Sequence, residues 1–314
     1  MSNEDDPIKG QEGIQIEKVG DKVNIILDMS MFDLFEMCEA RYNMRHNFNY
    51  ALPMIQKPVA LDSGSLVHEG FDVYFNGIKQ GIHYDDRMQA ALQKIMEISA
   101  DPEKCNLEME EVSTVLSAFE QSCDFWRFED EQMIIHEVES AFARIVYEDD
   151  VVRIILTGRI DLLVDIPSVG GSSSYTNLPI DHKSFKRDFE VPRLSNQFMN
   201  YCSAADSNYI KVNRVGLQRT LPPEQKFKRV ILSYDPIMLK DWETNVIRVL
   251  LTRYLNCVAS GYWNMNFTSC FKFNRKCEYY EICETSGEEN KLRKLSEGFD
   301  TISPWDVTAS FTKG

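Results

Sequence analysis

Leu178-Pro179-Ile180-Asp181-His182-Lys183-Ser184 decides how the chain is read, because it is a short β-like segment with an acid and an amine two residues apart. Side chains two apart on a strand share a face, so Asp181 and Lys183 point the same way. Upstream, Val151 to Leu156 is β-branched and aliphatic and reads as a strand. Gly158-Arg159 offers a bend, and Ile160 to Ile166 reads as the next strand. Gly170-Gly171-Ser172-Ser173-Ser174 reads as a hairpin tip, after which Leu178 to Ser184 returns. If these last two strands pair, Asp161 comes near Asp181, with Lys183 one step along the same face.

Two carboxylates and an amine on one sheet face are costly to bury without a use. A hard divalent cation relieves the repulsion, because Mg²⁺ takes oxygen ligands and keeps several waters. A water acidified by such a cation and positioned by Lys183 is a ready nucleophile for a phosphodiester. After Pro192 the chain reads as helical, so Gln197 and Tyr201 stand at i and i+4 on one face, where they could hold the scissile phosphate or the waters.

Asp161, Asp181-His182-Lys183, Gln197 and Tyr201, in this order and spacing, resemble the motifs of RecB-like nucleases of the PD-(D/E)XK superfamily. The resemblance implies that Asp161 and Asp181 bind Mg²⁺ or Mn²⁺ and that the backbone carbonyl of His182 can join them. It implies that Lys183 helps activate water and that the Gln197/Tyr201 pair marks the RecB branch. A lone Asp-x-Lys is common; the ordered set is much more specific, and an exposed hairpin with ordinary surface charge is the alternative. Gly64-Ser65-Leu66-Val67-His68-Glu69 is similar to the family's Gly-x-x-x-His motif, which would make His68 a metal ligand rather than a core histidine. Val138, Glu139 and Phe142 match a Val-Glu-x-x-Phe piece, so Glu139 either orients water or the lysine or is a strand-edge glutamate. His136 has no motif support and is read as structural.

At 314 residues, 43% hydrophobic and 26% charged, the chain is expected to be globular and to hold a substantial core. No apolar run approaches a membrane span, and Met1-Ser2-Asn3-Glu4-Asp5-Asp6 is too acidic for a signal peptide. The expectation is a cytoplasmic protein, or a phage or other viral protein acting in host cytoplasm, with no membrane partner. A net charge of −15 argues against a non-specific nucleic-acid binder but leaves a nuclease with a local basic groove open. Lys183, Lys186, Arg187 and Arg193 near the motifs are either solvated charges or a phosphate track.

Residues 1–12 read as disordered. Two short strands, Ile14 to Glu17 and Val23 to Leu27, flank a Gly20-Asp21 turn. Ser30 offers an N-cap to a helix whose stripe is Met31, Leu34, Phe35, Cys38 and Tyr42. Ser63-Gly64-Ser65 opens the helix that carries His68. Residues 84–135 read as a helical insertion, with Glu108 to Glu111 a solvated charge run and Phe119, Phe125, Trp126 and Phe128 assigned to the core. Arg214 to Arg219 and Val230 to Tyr234 read as strands around a Pro222-Pro223 turn, and Pro236 starts a long helix to about Ser260.

Of eight cysteines, Cys270, Cys277 and Cys283 cluster near the C-terminus, and a four-sulfur site needs one more, for which Cys38 is the candidate. Cys38-Glu39-Ala40-Arg41-Tyr42 resembles the Cys-Pro-x-x-Tyr start of RecB-like domains, without the proline. The four resemble the 4Fe–4S staple of AddB-type and CRISPR-associated exonucleases, although the first spacing is longer than the usual Cys-x-x-Cys. A structural Zn²⁺ or unrelated buried thiols are the rivals. Cys105, Cys123, Cys202 and Cys257 read as ordinary buried thiols.

The expected fold is α/β: a PD-(D/E)XK core with a mixed central sheet flanked by helices, a helical insertion at about 84–135 and a C-terminal cysteine-cluster segment. An N-terminal tail with short strands (1–29) precedes the nuclease domain (30–283), and a tail (284–314) follows. The resemblance implies a metal-dependent DNA nuclease, an exonuclease on single strands or duplex ends, working in repair, recombination or CRISPR-like processing, with a helicase, recombination or CRISPR protein as possible partner. The alternative is a non-catalytic nucleic-acid-binding or assembly subunit that kept the fold.

Overall fold

A computed structural model describes residues 15–19, 22–48, 50–51, 59–102, 104–168, 174–272 and 275–301. The N-terminal segment 1–12, the Gly20-Asp21 turn, most of the 170–174 hairpin tip and the end of the C-terminal tail lie outside the described residues.

The chain begins with strands β1 (Gln15–Val19) and β2 (Lys22–Leu27), then helices α1 (Met29–Met37) and α2 (Glu39–Tyr42) and a two-residue strand β3 (Tyr50–Ala51). Three helices follow: α3 (Val59–Lys79), α4 (Tyr84–Ser99) and α5 (Met109–Asp130). Then come β4 (Ile134–Glu148), β5 (Val152–Ile166), β6 (Tyr175–Phe185), α6 (Asn196–Ala204) and β7 (Tyr209–Gly216). The chain continues through α7 (Pro223–Lys226), β8 (Phe227–Ser233), α8 (Pro236–Val249), α9 (Leu255–Ser260), α10 (Tyr280–Glu284) and α11 (Glu288–Gly298). Among the described residues no helix is long and apolar enough to cross a membrane.

Two compact units form: residues 1–54, 141–158 and 240–314 make the first, and residues 55–140 and 159–239 the second. In the first, β1 and β2 are antiparallel, and β2 runs parallel to the start of β5, with Val23 to Leu27 opposite Val152 to Leu156. Phe35, Tyr42, Tyr254 and Trp263 form an aromatic cluster, with Phe35 edge-on to Tyr42 at 5.6 Å and Tyr42 stacked on Trp263 at 5.9 Å.

In the second unit the sheet is mixed. β5 and β6 are antiparallel with Leu162 opposite Ile180; β6 and β7 are parallel; β7 and β8 are antiparallel. Leu162, Val164, Leu178 and Ile180 are buried in the same apolar core as Phe71 and Phe75 of α3 and Phe119 of α5. Close helix contact depends on glycine: a Cβ on Gly70 would lie 2.7 Å from Ile95 Cδ1 and 2.8 Å from a ring carbon of Phe119. This is an α/β fold with a central mixed sheet flanked by helices.

Local expectations change in several places. The strand expected to bend at Gly158-Arg159 is continuous over Val152–Ile166. Among the described residues only Gly81, Gly261 and Gly287 are glycines with positive φ, so Gly158 does not use its freedom to turn the chain. The N-cap of α1 is Asp28, not Ser30: Asp28 Oδ1 accepts from the Met31 amide at 2.8 Å, and the Ser30 hydroxyl donates to it at 2.7 Å. The helix also breaks at Cys38, which is extended (φ −167°, ψ 111°). Helix α3 starts at Val59, ahead of Ser63. The Glu108–Glu111 run forms a capping box for α5, satisfying backbone donors at its start. Phe119 is core, but Phe125 is 39% and Phe128 77% exposed, although the Phe125 ring still lies 5.9 Å from that of Phe227 on β8. The strand expected at 214–219 is centred earlier, on Tyr209–Gly216.

Candidate active site

The site lies within the second unit and begins with the β5–β6 register. Leu162 faces Ile180, so one step on Asp161 faces Asp181. The Asp161 carboxylate accepts from the His182 amide at 2.7 Å. Asp181 is 1% exposed; its Oδ1 accepts from Lys183 Nζ at 2.9 Å, while its Oδ2 is buried with no protein donor. An ionised oxygen buried in this way is costly unless a cation meets it.

Helix α3 brings His68 to this pair, with Nδ1 3.5 Å from Asp161 Oδ2. The His68 ring also hydrogen-bonds the His182 backbone, so the main chain of His182 faces the site on both sides of its peptide. Strand β4 adds Glu139. One ligand atom from each of His68, Glu139 and Asp161 lies within 4.8 Å of the others. Glu139 has φ +53°, a left-handed value that costs a non-glycine residue about 1–3 kcal/mol and recurs at functional sites. Arg159 Nη1 lies 3.3 Å from its carboxylate.

From helix α6, Gln197 Oε1 accepts from Lys183 Nζ at 3.4 Å, and Gln197 Nε2 donates to the Tyr201 hydroxyl at 2.9 Å. Lys183 can only donate, which orients the Gln197 amide. Ser195 caps α6 by accepting from the Phe198 amide, and the helix presents Gln197 in its first turn and Tyr201 one turn later on the same face. The structure therefore places Asp161, Asp181, Lys183, Gln197, Tyr201, Glu139, His68 and the His182 backbone around one point. The His182 imidazole is stacked on Phe71 at 4.3 Å and Phe75 at 5.5 Å, with the His68 ring edge-on to it at 6.0 Å.

The electrostatics are those of crowded acids. Burial pushes Asp161 up to about 7, with the Glu139 charge adding to it and the His182 amide opposing it. Burial also pushes Asp181 up to about 6; Lys183 pulls it down and Asp161 pushes it further up. His68 is held below its ordinary value by burial. Asp72, one turn beyond His68 on α3, is raised to about 8 by burial and then by the charges of Glu139, Glu69 and Asp161. Asp72 was not among the expected site residues, although its i+4 spacing from His68 puts both on one helix face. A divalent cation fits the imidazole of His68 and the carboxylates of Glu139 and Asp161, whose ligand atoms lie within 4.8 Å of one another, with the orphaned Asp181 oxygen on the adjoining strand.

The basic side chains flanking the motifs are partly engaged. Lys186 pairs with Glu111 at 3.4 Å, and Arg193 donates to the Ser233 carbonyl at 2.9 Å. His136 lies apart from this site, with Nε2 2.9 Å from Asp165.

The four singled-out thiols lie in the first unit. The break at Cys38 turns its sulfur toward the 264–266 loop, where the Asn266 amide donates to Sγ at 3.5 Å. Arg41 makes a bidentate pair with Glu278, Nε donating to Oε1 at 3.0 Å and Nη2 to Oε2 at 2.9 Å, tying α2 to the Cys277 segment. The Cys277 amide donates to the Cys270 carbonyl at 2.8 Å. Burial pushes the Cys283 thiol up to about 11, and the charges of Cys38, Cys277 and Cys270 push the same way, so the four sulfurs share one neighbourhood. Cys105, Cys123, Cys202 and Cys257 are buried and free.

No curated protein matches the chain. Among solved structures it is similar to a presumed exonuclease from Eubacterium rectale, at 13% identity over 100% of this chain and 98% of that one, with a TM-score of 0.45. It is also similar to a phage-related exonuclease from Haemophilus somnus (13% identity, 56% of this chain and 85% of that one, TM-score 0.30). A third is an alkaline exonuclease from Laribacter hongkongensis (10% identity, 62% of this chain and 97% of that one, TM-score 0.26). The model of the PD-(D/E)XK nuclease superfamily matches residues 28–284, a span that runs from the cap of α1 through β5, β6 and α6 to the last of the clustered cysteines. The chain belongs to the PD-(D/E)XK nuclease superfamily.

Proposed function

We propose that the chain is a Mg²⁺- or Mn²⁺-dependent deoxyribonuclease, an exonuclease that hydrolyses phosphodiester bonds at single-stranded or duplex ends during repair, recombination or phage- or CRISPR-type processing of DNA. The observation that carries this reading is the Asp161–Asp181 pair on adjacent strands with Lys183 bonded to Asp181 and His68 and Glu139 closing the other side. In this reading His68, Glu139, Asp161, Asp181 and the His182 carbonyl hold the cation. A cation bound there supplies Lewis-acid activation of the phosphate and of a water. Lys183, steadied between Asp181 and Gln197, would donate a hydrogen bond to the oxygen of the attacking water and stabilise the negative charge that develops on it. Gln197 and Tyr201, bonded to each other, donate to the scissile phosphate or its waters.

The test is cleavage of end-labelled single-stranded DNA, duplex DNA and RNA with Mg²⁺ and with Mn²⁺. Lys183→Ala is expected to lower kcat by about 100-fold or more while Mn²⁺ affinity stays within a few-fold of wild type. Full-length protein that cuts no DNA with either metal, or a Lys183→Ala variant as fast as wild type, defeats the proposal.

Cys38, Cys270, Cys277 and Cys283 are proposed to hold a 4Fe–4S cluster with a structural role. What supports a shared site is that Cys38, Cys270 and Cys277 all act electrostatically on the Cys283 thiol; a structural zinc on the same thiolates is the rival. Anaerobically purified protein should be brown, with a broad visible absorption and stoichiometric iron and sulfide. Colourless protein carrying one zinc would replace the cluster with zinc.

A further inference from the structure

Three buried polar side chains form one row across β6, β7 and β8. His182 is in register with Asn213, and Asn213 with Arg229. Exposure is 2% for His182 and 0% for Asn213, and the Arg229 side chain is 5% exposed. Arg229 Nε donates to Asn213 Oδ1 at 3.2 Å, and Asn213 Nδ2 lies 3.0 Å from His182 Nδ1. The row ends on α5, where Arg229 meets Glu129 at 2.8 Å and Asp130 at 2.7 Å and lies over the Trp126 ring. Lys211 meets the same Glu129 oxygen at 2.7 Å.

The chemistry of the row leaves one arrangement. A guanidinium only donates, so the Asn213 oxygen must face Arg229 and its NH₂ must face His182. His182 Nδ1 is then an acceptor, and the ring proton sits on Nε2. The imidazole is held edge-on by Asn213 and face-on by Phe71 and Phe75. On the same residue, the amide donates to Asp161 and the backbone also hydrogen-bonds His68.

We propose that the Arg229–Asn213–His182 row positions the active site: by fixing the His182 ring it fixes the peptide groups that aim Asp161 and His68 at the cation. Asn213 and Arg229 are positioning residues; neither is assigned contact with substrate or metal. The consequence for metal binding rests on the metal-centre reading above, whereas the anchoring of the His182 backbone does not.

Asn213→Leu keeps the branched shape of the side chain, in a larger volume, and removes both bonds. In metal-free protein, exchange of the His182 amide hydrogen is expected to quicken about tenfold or more, because the peptide that carries it is no longer held against the Asp161 carboxylate. Mn²⁺ affinity should fall by about tenfold, as when an outer-shell partner of a metal ligand is lost, and kcat should fall with it while KM for DNA changes little. Asn213→Asp is the conservative variant: it accepts from Arg229 and from a His182 whose proton has moved to Nδ1, so both readouts should stay close to wild type. Ile95→Ala, in the α4 core, controls for general loss of stability and should leave Mn²⁺ affinity unchanged. If Asn213→Leu does not fold, His182→Phe keeps the stack on Phe71 and Phe75, loses the bond to Asn213, and takes its place in the same measurements. A folded variant of either kind with wild-type amide exchange and Mn²⁺ affinity overturns the proposal. So does an Ile95→Ala variant that loses as much affinity, or an Asn213→Asp variant that falls as far as Asn213→Leu. Wild-type protein that binds no Mn²⁺ would instead overturn the metal-centre reading, and the amide exchange would still decide the role of the row.

Discussion

Asp161 and Asp181 set the chemistry of the site at the scale of single residues. Both have folded-state values above the ordinary carboxylate range, about 7 and about 6. Between the unfolded value of 3.8 and these values the folded protein holds more protons than the unfolded chain, so raising the pH through this window destabilises the metal-free fold. Metal ligands must be deprotonated, so cation affinity rises over the same window. Metal-free protein should therefore melt at a lower temperature at pH 8 than at pH 5.5, and added Mn²⁺ should raise the melting temperature more at pH 8. Differential scanning fluorimetry with and without Mn²⁺ reads both; equal Mn²⁺ shifts at the two pH values would contradict it. Much of this centre was legible in the sequence, because Asp161, Asp181, Lys183, Gln197 and Tyr201 carry their spacing on the chain itself. Asp72 was legible only as an i+4 neighbour of His68, and Asn213 and Arg229 not at all. Their role depends on which residues face each other across β6, β7 and β8, which one strand's sequence does not record.

At the scale of elements, α3 matters most, since it carries His68 and supplies Phe71 and Phe75 beneath the sheet. Its approach to α4 and α5 depends on Gly70. In an exposed helix, Gly→Ala stabilises by about 1 kcal/mol. Here the new methyl would meet Ile95 and Phe119 at 2.7–2.8 Å, and overpacking typically costs about 1–3 kcal/mol. Gly70→Ala is expected to lower the denaturant midpoint, with an unchanged m-value; a raised midpoint would mean that the core gives way more easily than its contacts suggest. The helices within 84–135 and the strands were readable from the sequence, but their ends were not. Gly158 could turn the chain and does not, because the β5 ladder on either side outweighs the local freedom of one glycine. Ser30 could cap α1, yet the Asp28 side chain takes the Met31 amide at 2.8 Å, and the Ser30 hydroxyl itself donates to the same Asp28 oxygen.

At the scale of the molecule, chemistry is divided between the two units. Every residue assigned to the metal centre lies in the second unit, and the four clustered thiols lie in the first. The first unit is assembled from three separated stretches of chain, ending with the segment that contains Cys270, Cys277 and Cys283. Cross-linking stretches so distant in sequence closes a very long loop, and loop-closure entropy makes such a link most valuable where the loop is longest. A cluster on Cys38 and the three late cysteines would act on folding rather than on catalysis. Cys283→Ser is therefore expected to bleach the visible absorption and lower the melting temperature of the protein. At a temperature where the variant remains folded, its Mn²⁺ affinity at the His68–Asp161 site should stay within a few-fold of wild type. Anaerobic absorption spectra, a thermal melt and a Mn²⁺ titration by electron paramagnetic resonance on one preparation read all three. Loss of Mn²⁺ binding by folded Cys283→Ser would show that the thiols act on the metal centre itself and would end the division of labour inferred here.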